Sequence, residues 1–158
     1  MGALTPPLAH PLARIALAGD LAGLLALFSA SEVSATVQPL ERAEEVWRET
    51  LATPGVQVFV SGHDGRIAAT CMLVTAPNLL RSGRRHAFLE NVVTHPERRG
   101  LGHGKAVVQA ALAHAWTSGC HHVLMQSGRA DPAVHAFYRG MGFEPGLRVA
   151  YVARRPSV

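Results

Sequence analysis

Leu89-Glu90-Asn91-Val92-Val93-Thr94-His95-Pro96-Glu97-Arg98-Arg99-Gly100-Leu101-Gly102-His103-Gly104-Lys105 decides how this chain folds. It begins as a short apolar run that suits a buried strand, about Ala87 to Thr94, and Pro96 stops it. Three glycines at alternate positions follow, flanked by Arg98, Arg99 and Lys105. No further glycine occurs before Gly119, and a helix is predicted from about His103 to Thr117. Strand, glycine turn and helix in that order place free backbone N–H groups at a helix N-terminus. Such a site attracts phosphate through its unpaired donors and through the positive end of the helix dipole.

Three kinds of glycine turn compete. A nucleotide-triphosphate loop needs Gly, four residues, then Gly-Lys-Ser/Thr, because the hydroxyl holds magnesium. Here Ala106 follows Gly104-Lys105, and Arg99 stands where the first glycine should be. A dinucleotide fingerprint needs G-x-G-x-x-G, and Gly104 falls one residue early. The third kind fits. Arg99-Gly100-Leu101-Gly102-His103-Gly104 reads as Arg-x-x-Gly-x-Gly between a strand and a helix. It resembles the acetyl-CoA signature of the GNAT superfamily of N-acetyltransferases. Downstream, Ala136-Phe137-Tyr138-Arg139-Gly140-Met141-Gly142-Phe143-Glu144 is similar to that family's Phe-Tyr-x-x-x-Gly-Phe segment.

The resemblance implies an α/β fold: a mixed, mostly antiparallel sheet of six to seven strands with about four helices. It also implies a V-shaped cleft where two central strands, ending at Thr94 and Gln126, splay apart. The pantetheine arm of acetyl-CoA would lie in that gap, on the backbone of Val92, Val93 and Thr94. Arg98, Arg99, Gly100, Leu101, Gly102, His103, Gly104 and Lys105 would hold the pyrophosphate, mainly through amides that glycine leaves uncovered. Tyr138 matches the family's tyrosine beside the thioester and would protonate the thiolate leaving group. Glu90 would take the ammonium proton of the acceptor, with His95 a weaker alternative. The implied activity is direct acetyl transfer from acetyl-CoA to a primary amine, with both substrates bound together. Glu-Asn-Val-Val looks like the strand of amino-sugar and other small-molecule acetyltransferases. A peptide amine remains an alternative acceptor, and a non-catalytic acyl-CoA sensor an alternative function. The resemblance also allows a homodimer.

Size and composition agree with these implications. The 158 residues make one domain by length, 1–158, with a Pro- and Ala-rich arm over 1–12. Net charge is +4, which suits a polyanionic ligand such as coenzyme A. Aromatic residues are few and do not alternate with Arg or Lys, against a nucleic-acid platform. The apolar segment Ile15 to Ala30 is too short to span a bilayer and is broken by Asp20. No basic region precedes an apolar core at the N-terminus, so no secretory signal is expected. Cys71 and Cys120 have no metal or redox spacing and read as buried thiols of a cytoplasmic protein. No helical His-x-x-x-His pair with a carboxylate occurs, so no metal is expected. His121 and His122, adjacent on a strand, should face opposite sides.

The remaining elements follow in order. Ala13 to Leu17 forms a strand, and Asp20 caps a helix through about Ser29 with Leu21, Leu24, Leu25 and Phe28 on one face. A second helix, Leu40 to Leu51, carries Ala43 and Trp47. Glu32, between the two helices, is a candidate acceptor contact. Val56 to Ser61, a turn at His63-Asp64-Gly65, and Arg66 to Thr75 make a hairpin. A basic loop over 77–86, with Arg81, Arg84 and Arg85, is a solvated turn or an acceptor lid. The glycine-turn helix is apolar on nearly every side, Trp116 included, and should be buried. His122 to Gln126 is a strand. Asp131-Pro132 starts a helix with Asp as N-cap. Phe143 to Glu144 and Leu147 to Arg154 are predicted as the last strands.

Overall fold

The structure, a computed structural model, describes residues 10–31 and 33–156. It contains two compact units, Met1–Met125 and Gln126–Val158. Most of the predicted arm, and Glu32, lie outside the described residues.

In the first unit the strands are β1 (Ala13–Ile15), β2 (Val56–His63), β3 (Arg66–Ala76), β4 (Arg85–Thr94) and β5 (Cys120–Met125). They form one sheet in the order β1-β2-β3-β4-β5. All neighbours are antiparallel except β4 and β5, which run parallel. The helices of this unit are α1 (Leu21–Ser31), α2 (Leu40–Ala52) and α3 (His103–Thr117). A parallel pair needs a crossover, and α3 supplies it between β4 and β5.

Cross-strand register sorts the side chains into two faces. Phe59, Cys71 and Leu73 share one face with Leu89, because Phe59 opposes Cys71 and Leu73 opposes Leu89. α3 covers that face. Val107, Val108, Ala111 and Ala115 are fully buried, and Cys71 Sγ donates to the Val107 carbonyl at 3.3 Å. Trp116 departs from expectation, at 50% exposed. The buried stripe at 107, 108, 111 and 115 already fills the sheet side of α3, and Trp116 falls outside it. On the other face, Val58 and Val60 cluster with Ala16 and Leu24, flanked by Phe28, Trp47, Ile67 and Met72. Leu27, not in the predicted stripe, is buried to 1%. Full burial of a leucine such as Leu27 or Leu73 is worth roughly 1.5–3 kcal/mol relative to exposure.

Asp20 works differently from the predicted N-cap. It closes a 3-10 turn, Ala18–Asp20, and its carboxylate accepts from Leu17 N–H at 2.7 Å. That is the reach-back half of a capping box. Arg14 grips the same carboxylate at 2.7 and 2.8 Å, which lowers the proton affinity of Asp20.

The described sheet has five strands, not six to seven. Phe143–Glu144 and Leu147–Arg154 form no strand. Leu147, Val149, Tyr151 and Val152 stand 73–89% exposed. Alternating apolar residues make a strand only where an edge accepts their N–H and C=O groups, and this segment has no ladder partner among the described residues. Its own unit holds one helix, α4 (Pro132–Gly140). Asp131 caps α4 as predicted, its Oδ1 accepting from Ala133 N–H at 2.8 Å.

Candidate functional site

Pairing of β4 with β5 runs from Arg85↔Cys120 to Leu89↔Met125 and stops. Beyond it, among the described residues, β4 pairs only with β3, and the register slips. Met72 opposes Glu90 while Thr70 opposes Val93, so Asn91 and Val92 together face the single residue Cys71. This is a β-bulge. Asn91 occupies the left-handed region at φ 51°, which a short amide side chain tolerates better than most. The bulge changes which side of the sheet the following residues take. Val93, opposite Thr70, shares the face of Glu90 rather than that of Leu89. Sequence reasoning missed Asn91. The signal was present: two adjacent polar residues, Glu90 and Asn91, interrupt an alternating strand.

Glu90 is exposed on the α1/α2 face. Val93 is buried, and Val92 and Thr94 are half-buried. Past Thr94 the chain makes a 3-10 turn, Pro96–Arg98, that His95 caps by accepting from Glu97 N–H. Gly100 (φ 76°) and Gly102 (φ 89°) then turn the backbone into α3. A Cβ on Gly102 would also meet Pro11 at 3.4 Å. The first helical bond of α3 runs from Ala106 N–H to the Gly102 carbonyl, 2.9 Å. The N–H groups ahead of it have no acceptor within the helix. Arg99, Gly100, Leu101 and Lys105 are exposed, and Arg98, Gly102 and Gly104 half-buried. Thus residues 90–105 run without a break from the bulge through the glycine turn into α3, all within the first unit. The two tight glycines and the open donors fit a diphosphate.

His103 is the buried member, 3% exposed, with Nδ1 2.8 Å from Ser61 Oγ. Burial, then the nearby His63 and Arg98, lowers its proton affinity. A histidine harder to protonate when folded contributes stability that is present above about pH 6.5 and lost as pH falls through its folded value. The thermal midpoint is therefore expected to fall between pH 7.5 and 5.5, and His103→Gln to flatten that slope. Parallel slopes in melts of the two proteins would refute it.

Tyr138 belongs to the second unit, at the C-terminal end of α4. Its carbonyl accepts from Phe143 N–H at 3.1 Å, and the Arg139 carbonyl accepts from Gly142 N–H at 3.0 Å. With Gly142 at φ 88°, these are the two bonds of a Schellman motif. The apolar contact that accompanies the motif is the Tyr138–Phe143 edge-on pair, centroids 5.8 Å apart. Phe137 packs edge-on against the other side at 5.1 Å. The spacing Phe-Tyr-x-x-x-Gly-Phe therefore has a local reason: it closes the helix and fixes the tyrosine ring.

Both thiols are buried. Burial pushes Cys71 up to about 12 and raises Cys120 despite nearby Arg85. His121 and His122 do not face apart as expected. Their Nδ1 atoms lie 2.8 Å apart, sharing a hydrogen bond on β5, the last strand of the described sheet. The basic loop over 77–86 adjoins the start of β4, ten residues from the Thr94 end. That is about 30 Å along the strand, too far for Arg81 or Arg84 to serve the glycine turn.

A strand bulged at its end, a glycine turn and a buried crossover helix define the α/β class of this unit. Residues 22–143 match the model of the acetyltransferase (GNAT) family, and the chain belongs to that family. It is 32% identical over 87 residues to glucosamine 6-phosphate N-acetyltransferase of Trypanosoma brucei brucei, covering 55% of this chain and 57% of that protein. It is 36% identical over 64 residues to an aminoglycoside N(6')-acetyltransferase type 1 of Stenotrophomonas maltophilia, 40% and 42% of the two chains. These matches span about half the length of those relatives. Among solved structures, a protein of Agrobacterium tumefaciens str. C58, provisionally described as an acetyltransferase, is 40% identical. It superposes with a TM-score of 0.84 over 90% of this chain and 99% of its own.

Proposed function

We propose that this chain is an acetyl-CoA-dependent N-acetyltransferase whose acceptor is the primary amine of an amino sugar. The observation that carries this reading is the freed backbone of residues 90–94, continuous with the glycine turn at 100–102. Acetyl-CoA supplies the activated acetyl thioester. The amides of residues 99–104 hold its diphosphate, and the unpaired side of β4 beyond Leu89 takes its extended arm. Val93 N–H donates to the thioester carbonyl. Glu90 takes the proton of the acceptor ammonium, directly or through water, and Tyr138 protonates the departing thiolate. The high proton affinity of both cysteines supports direct attack over an acyl-cysteine route. The amino-sugar choice is supported by the named activities of the relatives and by the Glu-Asn-Val-Val strand.

An amine panel scored by thiol release tests the proposal. Glucosamine 6-phosphate or an aminoglycoside should exceed peptide α-amines, lysine and polyamines by tenfold or more in kcat/KM. A peptide amine in first place would overturn the acceptor. Binding of acetyl-CoA without turnover of any amine would favour the sensor alternative. Glu90→Gln should lower kcat about 10²-fold at neutral pH. It should recover towards wild type at high pH, where the free amine predominates. An unchanged pH profile would remove Glu90 from the base role.

A further inference from the structure

We propose that the cleft between the β2–β3 turn and the 3-10 turn after β4 binds a phosphate dianion, separately from the glycine turn. The cleft has a volume of about 50 Å³ and is lined by His63, Arg66, Ile67, Ala68, His95, Glu97 and Arg98. One water needs roughly 10–15 Å³ by that measure, so the space admits a larger occupant.

Two turns bring these groups together. Asp64 and Gly65, both at positive φ, close the β2–β3 hairpin as a type I′ turn and place His63 opposite Arg66. The other turn is tied to the same strand by His95 N–H, which donates to the Ala68 carbonyl at 2.8 Å. Arg98 N–H in turn donates to the His95 carbonyl at 2.9 Å. The cleft is therefore framed by backbone hydrogen bonds rather than by loose side chains.

Its charge is unbalanced. Neither Arg66 nor Arg98 makes an ion pair among the described residues, and Glu97 is the one carboxylate in the lining. His63 Nε2 leans on Asp64 outside the lining, at 3.1 Å. His95 accepts from Glu97 N–H through Nδ1, which keeps the proton of the neutral ring on Nε2 as a donor. The buried His103 ring lies edge-on to His63, centroids 5.8 Å apart. Its proton affinity is held down by burial and then by His63 and Arg98. Two guanidinium groups face one opening against a single carboxylate, and a dianion offsets that excess while the imidazole N–H groups add donors. Guanidinium donors suit phosphate oxygens in particular.

The phosphate has two sources, a separate phosphate-bearing ligand or the 3′-phosphate of coenzyme A seated in the neighbouring turn. Titration of the full chain with inorganic phosphate, read from histidine ring resonances, tests the site itself. His63, His95 and His103 should shift together and saturably. Arg66→Gln should weaken phosphate about tenfold, the loss of one charge-assisted contact. No saturable shift, or equal affinity in Arg66→Gln, overturns the proposal. Competition separates the sources and rests on the proposed acetyl-CoA reading, whereas the titration does not. Displacement of phosphate by acetyl-CoA and not by 3′-dephospho-acetyl-CoA assigns the site to the cofactor's own phosphate. Binding of both cofactors without displacement assigns it to a separate ligand. Equal displacement by both places the phosphate in the glycine turn and refutes a second site. Should acetyl-CoA fail to bind at all, the proposed function falls while the phosphate titration stands.

Discussion

Tyr138→Phe is expected to lower kcat about 10²-fold while the KM for acetyl-CoA stays near wild type. A coenzyme thiol titrates near an ordinary thiol, roughly 8.5, and a phenol near 10. A phenol of that ordinary proton affinity can donate to a thiolate as the carbon–sulfur bond breaks. Phenylalanine keeps the ring and loses only the hydroxyl. The edge-on contacts to Phe137 and Phe143 survive, as do the two Schellman hydrogen bonds, which are made by backbone atoms. The loss should therefore appear in kcat rather than in the KM for acetyl-CoA. Rates are measured by thiol release from pH 6 to 10. Wild-type turnover across that range would mean the thiolate leaves without help and would end the acid role.

How far the sequence revealed this site depends on whether a feature is local. The helix over His103–Thr117 was readable to the residue, because Gly102 and Gly119 punctuate a continuous run of helix formers. The end of α4 was readable because its motif, Phe137 to Phe143, is complete within seven residues. The Asn91 bulge was not read. Its local trace is the adjacent polar pair Glu90-Asn91, but the register that makes it a bulge shows only when β3 and β4 are aligned. The segment over Leu147–Arg154 erred in the other direction. Its alternation is real, but a strand also needs a partner edge, which pattern does not reveal. The cleft beside Arg98 escaped for a similar reason. His63 and Arg66 are 32 or more positions from Arg98 in the chain, and only sheet pairing brings them together.

Gly102→Val is expected to weaken acetyl-CoA by at least about 10²-fold in calorimetry. Two costs combine at this position. The backbone sits at φ 89°, where an L side chain is strained by roughly 1–2 kcal/mol and a β-branched one by more. The first carbon would also stand 3.4 Å from Pro11 Cδ, so the valine methyls must crowd Pro11 or turn toward the phosphate. Gly100→Ala separates these costs. Gly100 lies at φ 76°, but an added Cβ there meets nothing within 4 Å. It should carry the backbone strain alone and weaken binding about tenfold, since 1.4 kcal/mol is a factor of ten. If the two variants lost affinity equally, strain would account for both and no ligand need approach Gly102. If Gly102→Val melted cooperatively and bound acetyl-CoA at wild-type strength, the diphosphate could not be resting on this turn. The reading of residues 99–104 as its cradle would then be wrong, whatever the rate of the enzyme.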